Sequence, residues 1–323
     1  MGWKRKLTTY AALAGLATGA MHGINRFIYF TATLDNLLSN PNGNYYEWRF
    51  GKLFYTKKGS GAPILLIHDL NTYSSGYEWS KVEAELSKKN TVYTIDLLGC
   101  GRSDKPNLTY TNFLFVEMIN EFISNVIGEK TDVIATGDSS AIILMSALND
   151  ESTINRIVLC NASDLGYLSL ISTKRTKFLK WLIYVPVVGT LLYNTLTTKK
   201  SVEQSFYEEY FYDINKITSK DIDAYYESAH LSNSRPKYLF ASMKGRYTNA
   251  NVIHCLKSIN NSVFMLASDG TPNNLTIAEQ YQKYMPAIEI VNMKDSKHLP
   301  QMENPTEFID TIDILLNNEM EES

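Results

Sequence analysis

The chain has 323 residues, 44% of them hydrophobic, and a formal net charge of −3. That is enough for one sizeable core, built as a single α/β domain with an insertion or as two domains. The near-neutral balance lacks the strongly basic face that a nucleic-acid partner demands. Cys100, Cys160 and Cys255 are scattered without C-x-x-C or metal-ligand spacing, so they read as buried free thiols and not as a disulfide framework.

At the N-terminus, Lys4, Arg5 and Lys6 precede an uncharged stretch from Leu7 to Asn25, rich in Ala and Gly, which Arg26 closes. A basic flank before an apolar segment fits a signal peptide or a membrane anchor. Phe27, Tyr29 and Phe30 add aromatics suited to an interface. An amphipathic helix laid on the domain is the alternative. The expectation is a membrane-associated segment and linker over residues 1–40, on a side of the membrane that the sequence leaves open.

After a polar linker around Asn40, Pro41 and Gly43, β-rich runs at residues 45–50 and 53–56 flank Gly51-Lys52 and read as a hairpin. Residues 64–69 (I-L-L-I-H-D) and 91–97 (T-V-Y-T-I-D-L) are continuous apolar runs of the kind found in buried parallel strands. Apolar residues at helical spacing follow over 111–127. Then comes D-V-I-A-T-G-D-S-S-A at 132–141: a short apolar strand, a tight turn carrying Ser139, and a helix to about Asn149. That is the layout of a nucleophile elbow, with Ala141 where the usual G-x-S-x-G has its last Gly. It places Ser139 in a strained backbone conformation with its hydroxyl pointing off the sheet. A further strand over 156–160 completes a βα alternation that means a parallel, doubly wound sheet.

The set I-H-D-L-N at 67–71, D-L-L-G-C-G-R-S-D-K-P at 96–106, T-G-D-S-S-A at 136–141 and K-H-L-P-Q-M-E-N-P at 297–305 resembles the α/β-hydrolase fold serine hydrolases, in their lid-bearing esterase, lipase and haloperoxidase-like branch. The resemblance covers about residues 45–316. It implies a hydrolase core over 41–165 and 250–323, with a helical lid over 166–249 inserted after the sixth strand.

The resemblance also implies roles. Ser139 attacks, because a serine hydroxyl needs and here finds a base in His298, on the Lys297-His298-Leu299-Pro300 loop. The acid is expected after the strand Val263–Leu266. There Gly270 falls on the expected position, and Asp269, one residue away, is the only carboxylate of the loop; Asp164, after the strand ending at Cys160, is the alternative. The oxyanion hole would use the N–H groups of Leu70 and Ser140. Asp69 departs from the family's usual Gly and sets a carboxylate beside that hole. His68 is expected to tie down its loop, and Asp96 with Arg102 to Asp104 to form a hydrogen-bonded turn. Nothing implies a metal or cofactor: no P-loop, H-E-x-x-H or EF-hand pattern is present.

Within the lid stretch, residues 178–196 are largely uncharged but interrupted by Pro186 and Gly189, which favours an apolar wall over the site against a second membrane span. The expected activity is cleavage of an ester of an apolar or lipid-like small molecule through an acyl-enzyme. The alternative is a catalytically lapsed member of the fold acting as a ligand-binding or interaction module.

Overall fold

The computed structural model describes residues 2–317; Met1 and residues 318–323 lie outside it, as do the side chains of Lys4 and Arg5 on which the basic flank rests. Eight strands form one sheet in the order β1-β2-β4-β3-β5-β6-β7-β8. They are β1 (Asn44–Trp48), β2 (Gly51–Lys58), β3 (Pro63–Ile67), β4 (Thr91–Ile95), β5 (Thr131–Thr136), β6 (Ile154–Cys160), β7 (Val263–Ser268) and β8 (Glu289–Met293). β2 pairs antiparallel with both β1 and β4, and the other pairings are parallel. This is the α/β-hydrolase architecture that the motif resemblance implies, and its parallel part is what the alternating apolar runs predict.

The helices are α1 (Gly2–Ala32), α2 (Glu83–Leu86), α3 (Asn112–Phe122), α4 (Ser139–Asn149), α5 (Leu165–Leu168), α6 (Lys174–Tyr184), α7 (Val188–Leu196), α8 (Lys199–Ser205), α9 (Ser219–His230), α10 (Pro236–Lys244), α11 (Ile253–Ser258), α12 (Asn274–Tyr284), α13 (Pro300–Glu303) and α14 (Pro305–Asn317). Side chains alternate across the central strands, so each strand feeds two cores. Leu65, Ile67, Val133, Ala135, Ile157 and Leu159 pack with α3 and α4 on one face. Ile64, Leu66, Ile134, Val158 and Leu266 meet Trp79 and the Phe308–Ile312 face of α14 on the other. Burial on both faces is why these strands read as unbroken apolar runs.

Helices α5 to α10 lie between β6 and β7 and form a helical insert. Its middle packs on the loop after β8, where Val202, Phe206, Tyr210 and Tyr225 join Leu299 and Met302 in one apolar cluster. The largely uncharged 178–196 stretch is two helices: α6, and α7 with its continuation to Tyr210, bent at 108°. Among the described residues no single helix is long and apolar enough to cross a membrane; that bent pair meets the criterion only when taken together. Helix α1, 31 residues long, docks by Asn25, Tyr29 and Ala32 on the insert, while Trp3, Leu7, Tyr10, Leu13 and Leu16 stay exposed. Asn25 Nδ2 donates to the Val187 carbonyl (3.3 Å), and Asn194 Nδ2 to Asn25 Oδ1 (2.8 Å).

Candidate active site

The loops leaving β3, β5, β6, β7 and β8 gather at the carboxyl edge of the sheet, where open parallel sheets place their sites. The elbow lies among them. β5 ends at Thr136 and α4 begins at Ser139, so two residues make the turn. The one with positive φ is Gly137, at +56°. Asp138 is already right-handed (φ −64°), and Ser139 starts the helix. Its hydroxyl donates to the His68 carbonyl at 2.7 Å, and the residue is wholly buried. This corrects the expectation that Ser139 stands strained at the apex. Glycine takes positive φ without a Cβ penalty, so the bend forms on Gly137 and carries Ser139 into the first helical turn.

The space in front of the apex belongs to Asp69. A Cβ on Gly137 would lie 2.3 Å from Asp69 Oδ1 and 2.6 Å from its Cγ. Asp69 Oδ1 accepts the Asp138 N–H at 2.9 Å. Its Oδ2 accepts from Asn71 Nδ2 at 3.0 Å and meets His298 Nε2 at 3.1 Å. His298 therefore faces Asp69, with its ring stacked on Tyr210 at 5.6 Å between centroids. The His298 side chain is 22% exposed and that of Asp69 14%.

The remaining expected residues fall elsewhere. Ser140 N–H donates to the Gly137 carbonyl at 3.1 Å, closing the turn, and so is not offered to an oxyanion. The donor after the apex is Asp138. Leu70 is buried. Asp269 is exposed; its N–H bonds the Met293 carbonyl, and no hydrogen bond joins it to His298 among the described residues. Gly270 is the residue whose Cβ would press on the histidine loop, 2.5 Å from the Ser296 carbonyl. Asp164 caps α5, accepting the Tyr167 N–H at 2.8 Å. The carboxylate paired with His298 is thus neither expected acid but Asp69, which is visible in the sequence only as a departure from glycine.

Sequence reasoning also missed two supports. Glu78 is buried, accepts the Asp69 N–H on Oε2 (3.2 Å) and receives Gln301 Nε2 on Oε1 (2.9 Å). Asn161, at φ +48°, sends Nδ2 to the carbonyls of Lys297 and His298 (2.9 and 3.0 Å) and to Ser268 Oγ. It receives the Ser268 N–H and Asn274 Nδ2 on Oδ1. His68 does tie its loop: Nδ1 meets the Asp69 carbonyl at 2.7 Å and Nε2 accepts the Leu97 N–H at 3.0 Å, which fixes a neutral tautomer. Asp96 binds Arg102 through both carboxylate oxygens and also holds the Gly76 N–H.

Three carboxyl groups, Asp69, Glu78 and Asp138, surround one imidazole. Burial alone would raise the Asp69 carboxyl, but the hydrogen bond and charge of His298, the Asp138 N–H and Asn71 outweigh it and hold the group below its ordinary range. Burial lowers His298, and the Asp69 contact, with the charges of Glu78 and Asp138, more than reverses this. The two shifts run in opposite senses, each favouring the charged form of its own group. Glu78 is pushed up to about 7 by burial and then by the Asp69 charge. The same causes push Asp138 up to about 6, although the Ser163 hydroxyl bonds its carboxylate.

A cavity of about 380 Å³ opens on this pair, walled by Glu209 and Tyr210 of the insert and by Thr271, Pro272 and Lys297. Ser139 is not on its wall. Another hollow, of about 470 Å³ around Ser262 and Met285, lies at the opposite end of the strands. Among the described residues no group of three or more His, Cys, Asp or Glu has the arrangement to hold a metal ion.

The sequence profile of the alpha/beta hydrolase family matches residues 64–311, and the chain belongs to that family. An uncharacterized protein of Mycobacterium tuberculosis is 30% identical over 104 residues, 32% of this chain and 30% of that one. The soluble epoxide hydrolase of a Corynebacterium species is 27% identical over 106 residues, 33% of this chain and 36% of its own length. The chain thus spans about a third of the length of these curated relatives. Naproxen esterase (carboxylesterase NP) of Bacillus subtilis superposes with a TM-score of 0.64 at 16% identity, over 91% of this chain and 98% of that one, which is a likeness of fold.

Proposed function

We propose that the protein is a hydrolase of a small molecule carrying an alkyl ester or an epoxide, with Asp69 as nucleophile and His298 as its proton carrier. The observation that carries this reading is that the cavity reaching the family's histidine opens on Asp69, in the volume that Gly137 leaves vacant. Ser139 is buried on the His68 carbonyl instead.

The chemistry follows from the partners. Asp69 Oδ2 attacks the alkyl carbon, the C–O bond breaks, and its electron pair leaves on oxygen. For an epoxide the His298 imidazolium protonates that oxygen. The alkyl ester so formed on Asp69 carries no charge, which removes the main cause holding the imidazole protonated. His298 can then take a proton from water as the water attacks Asp69 Cγ. The negative charge develops on Oδ1, which already sits on the Asp138 N–H. Collapse expels the product alkoxide, His298 gives it the proton taken from water, and the carboxylic acid left at Asp69 passes its own proton to the imidazole, which regenerates the carboxylate. A serine acyl-enzyme would need that same N–H free for the substrate oxygen, and Asp69 fills it.

A second reading, a lapsed hydrolase that binds a ligand without turnover, is favoured by one observation. Gly270 stands against the histidine loop, and no acid is hydrogen-bonded to His298 Nδ1 among the described residues. Epoxide and alkyl-ester panels, intact-mass measurement and a fluorophosphonate probe decide. Turnover lost in Asp69→Asn, with a covalent adduct on Asp69 accumulating in His298→Gln, is the expected result. No turnover and no adduct would leave the binding reading. Fluorophosphonate labelling abolished by Ser139→Ala would replace the proposal with ester hydrolysis through an acyl-enzyme.

A further inference from the structure

Away from that site, α1 and the insert enclose a second cavity of about 340 Å³ whose polar character is one-sided. Arg26 and His22 of α1 face Lys237 of α10 across it, and none of its lining side chains is acidic. Lys237 is 2% exposed. Its Nζ donates to Thr190 Oγ1 at 3.0 Å and to the Val185 carbonyl at 3.3 Å, and no carboxylate pairs with it among the described residues. A buried ammonium without a counter-charge is costly unless something anionic joins it. Burial pulls its pKa below the ordinary lysine value, as expected for such a cation.

Three further observations converge on the same hollow. The N-terminal turns of α7 and α10 border it, and helix N-termini carry partial positive charge toward whatever they face. The Tyr29 hydroxyl, on its wall, is buried beside Asn194 without a completed hydrogen bond. Val187, where α1 docks, has φ +61°, a strained conformation for a β-branched residue. Strain of this kind persists where surrounding contacts over-determine it, often at ligand clamps.

We propose that this cavity binds a phosphate group, held by Lys237, Arg26 and the Tyr29 hydroxyl, and that the phosphate is the headgroup of an anionic phospholipid. The lipid source is favoured by what adjoins the cavity. Upstream on α1, Trp3, Leu7, Tyr10, Leu13 and Leu16 are exposed, and Phe178 and Trp181 stack on each other in the open on α6. Apolar side chains presented beside a cationic pocket are what an interfacial helix offers to a membrane. The site is independent of the Asp69 chemistry.

The test uses the full chain with vesicles of phosphatidylcholine alone or mixed with phosphatidylglycerol, and separately with inorganic phosphate. Flotation should be selective for the anionic vesicles, and should weaken about fivefold in Arg26→Gln and again in Lys237→Met. Lys130→Gln, an exposed change outside the cavity, should float like the wild type. Inorganic phosphate should raise the melting temperature of the wild type but not of Lys237→Met. Arg26→Gln touches an exposed residue and keeps the test decisive should Lys237→Met fail to fold. Phosphate stabilisation without vesicle binding would assign a soluble phosphate and overturn the lipid source. Equal flotation on both vesicle types, unaffected by either variant, would overturn the site, as would no response to vesicles or phosphate.

Discussion

At the scale of single residues, Gly137 and Asp69 share one volume. A methyl on Gly137 would overlap Asp69 Oδ1 at 2.3 Å and would also pay for φ +56°. Gly137→Ala should therefore destabilise the fold by roughly 2–3 kcal/mol in urea unfolding, from crowding and backbone strain together. Much of the crowding part should return in an Asp69→Gly background, because the overlapping carboxylate is then gone. The same overlap predicts a gain of reactivity. Gly137→Ser with Asp69→Gly places a hydroxyl at the apex, beside His298 and a vacated Asp138 N–H. That double variant should react with a fluorophosphonate, whereas Gly137→Ser alone should not. Labelling of the single variant would show that Asp69 does not block the apex, and none of a folded double variant would show that the apex is not a nucleophile's seat.

At the scale of elements, precision at the site comes from side chains that clamp loops to strands. Asn161 joins the end of β6 to β7, to α12 and to the carbonyls on both sides of the Lys297–His298 bond. Asn161→Ala should cost roughly 2–4 kcal/mol, since several buried partners are left unsatisfied at once. It should also reduce turnover beyond any loss of folded protein. Asn261, which bonds the carbonyls of Ile154 and Asn155 at the far end of the same strand, is the comparison. Asn261→Ala should lower stability and leave turnover per folded molecule unchanged; equal catalytic losses in both would remove Asn161's positioning role. These clamps mark the limit of what periodicity conveys. The runs 64–67, 91–95 and 132–136 announce buried parallel strands because both faces are covered, and His298 is legible from its loop motif. Which residue takes the positive φ is a matter of one position, and G-D-S-S reads naturally with Ser139 at the tip until the turn is seen to close on Gly137. Asp69, Glu78 and Asn161 carry no local pattern. They lie far apart in the chain and meet only where the strand ends converge.

At the scale of the whole molecule, a net charge of −3 conceals a local excess of carboxyl groups that should govern stability against pH. Glu78 has a folded pKa of about 7 against an ordinary 4.5, so between those values the native state keeps a proton that the unfolded chain releases. Stability must then fall as pH rises through that window and level off above it, by roughly 3 kcal/mol for a shift of this size in a fully buried group. Asp138, pushed up to about 6, acts in the same direction. His298 does so too: its raised pKa stabilises fully below about 6.5, and that contribution is lost as pH climbs through the folded value. Asp69 opposes them on the acid side. Its lowered pKa supplies stability above about 3.9 that disappears as pH falls through the folded value. The maximum should lie near about pH 5, acid of neutrality. Glu78→Gln isolates the largest component, because the amide can still accept the Asp69 N–H, and Gln301, whose Oε1 is unpartnered, can turn to accept from it. Urea titrations should find this variant close to wild type at pH 5, where Glu78 is protonated, and more stable by roughly 2–3 kcal/mol at pH 8, where wild type buries a charge next to Asp69. Parallel curves for the two proteins across that range would mean that Glu78 does not titrate there, and the alkaline decline would then belong to His298 and Asp138.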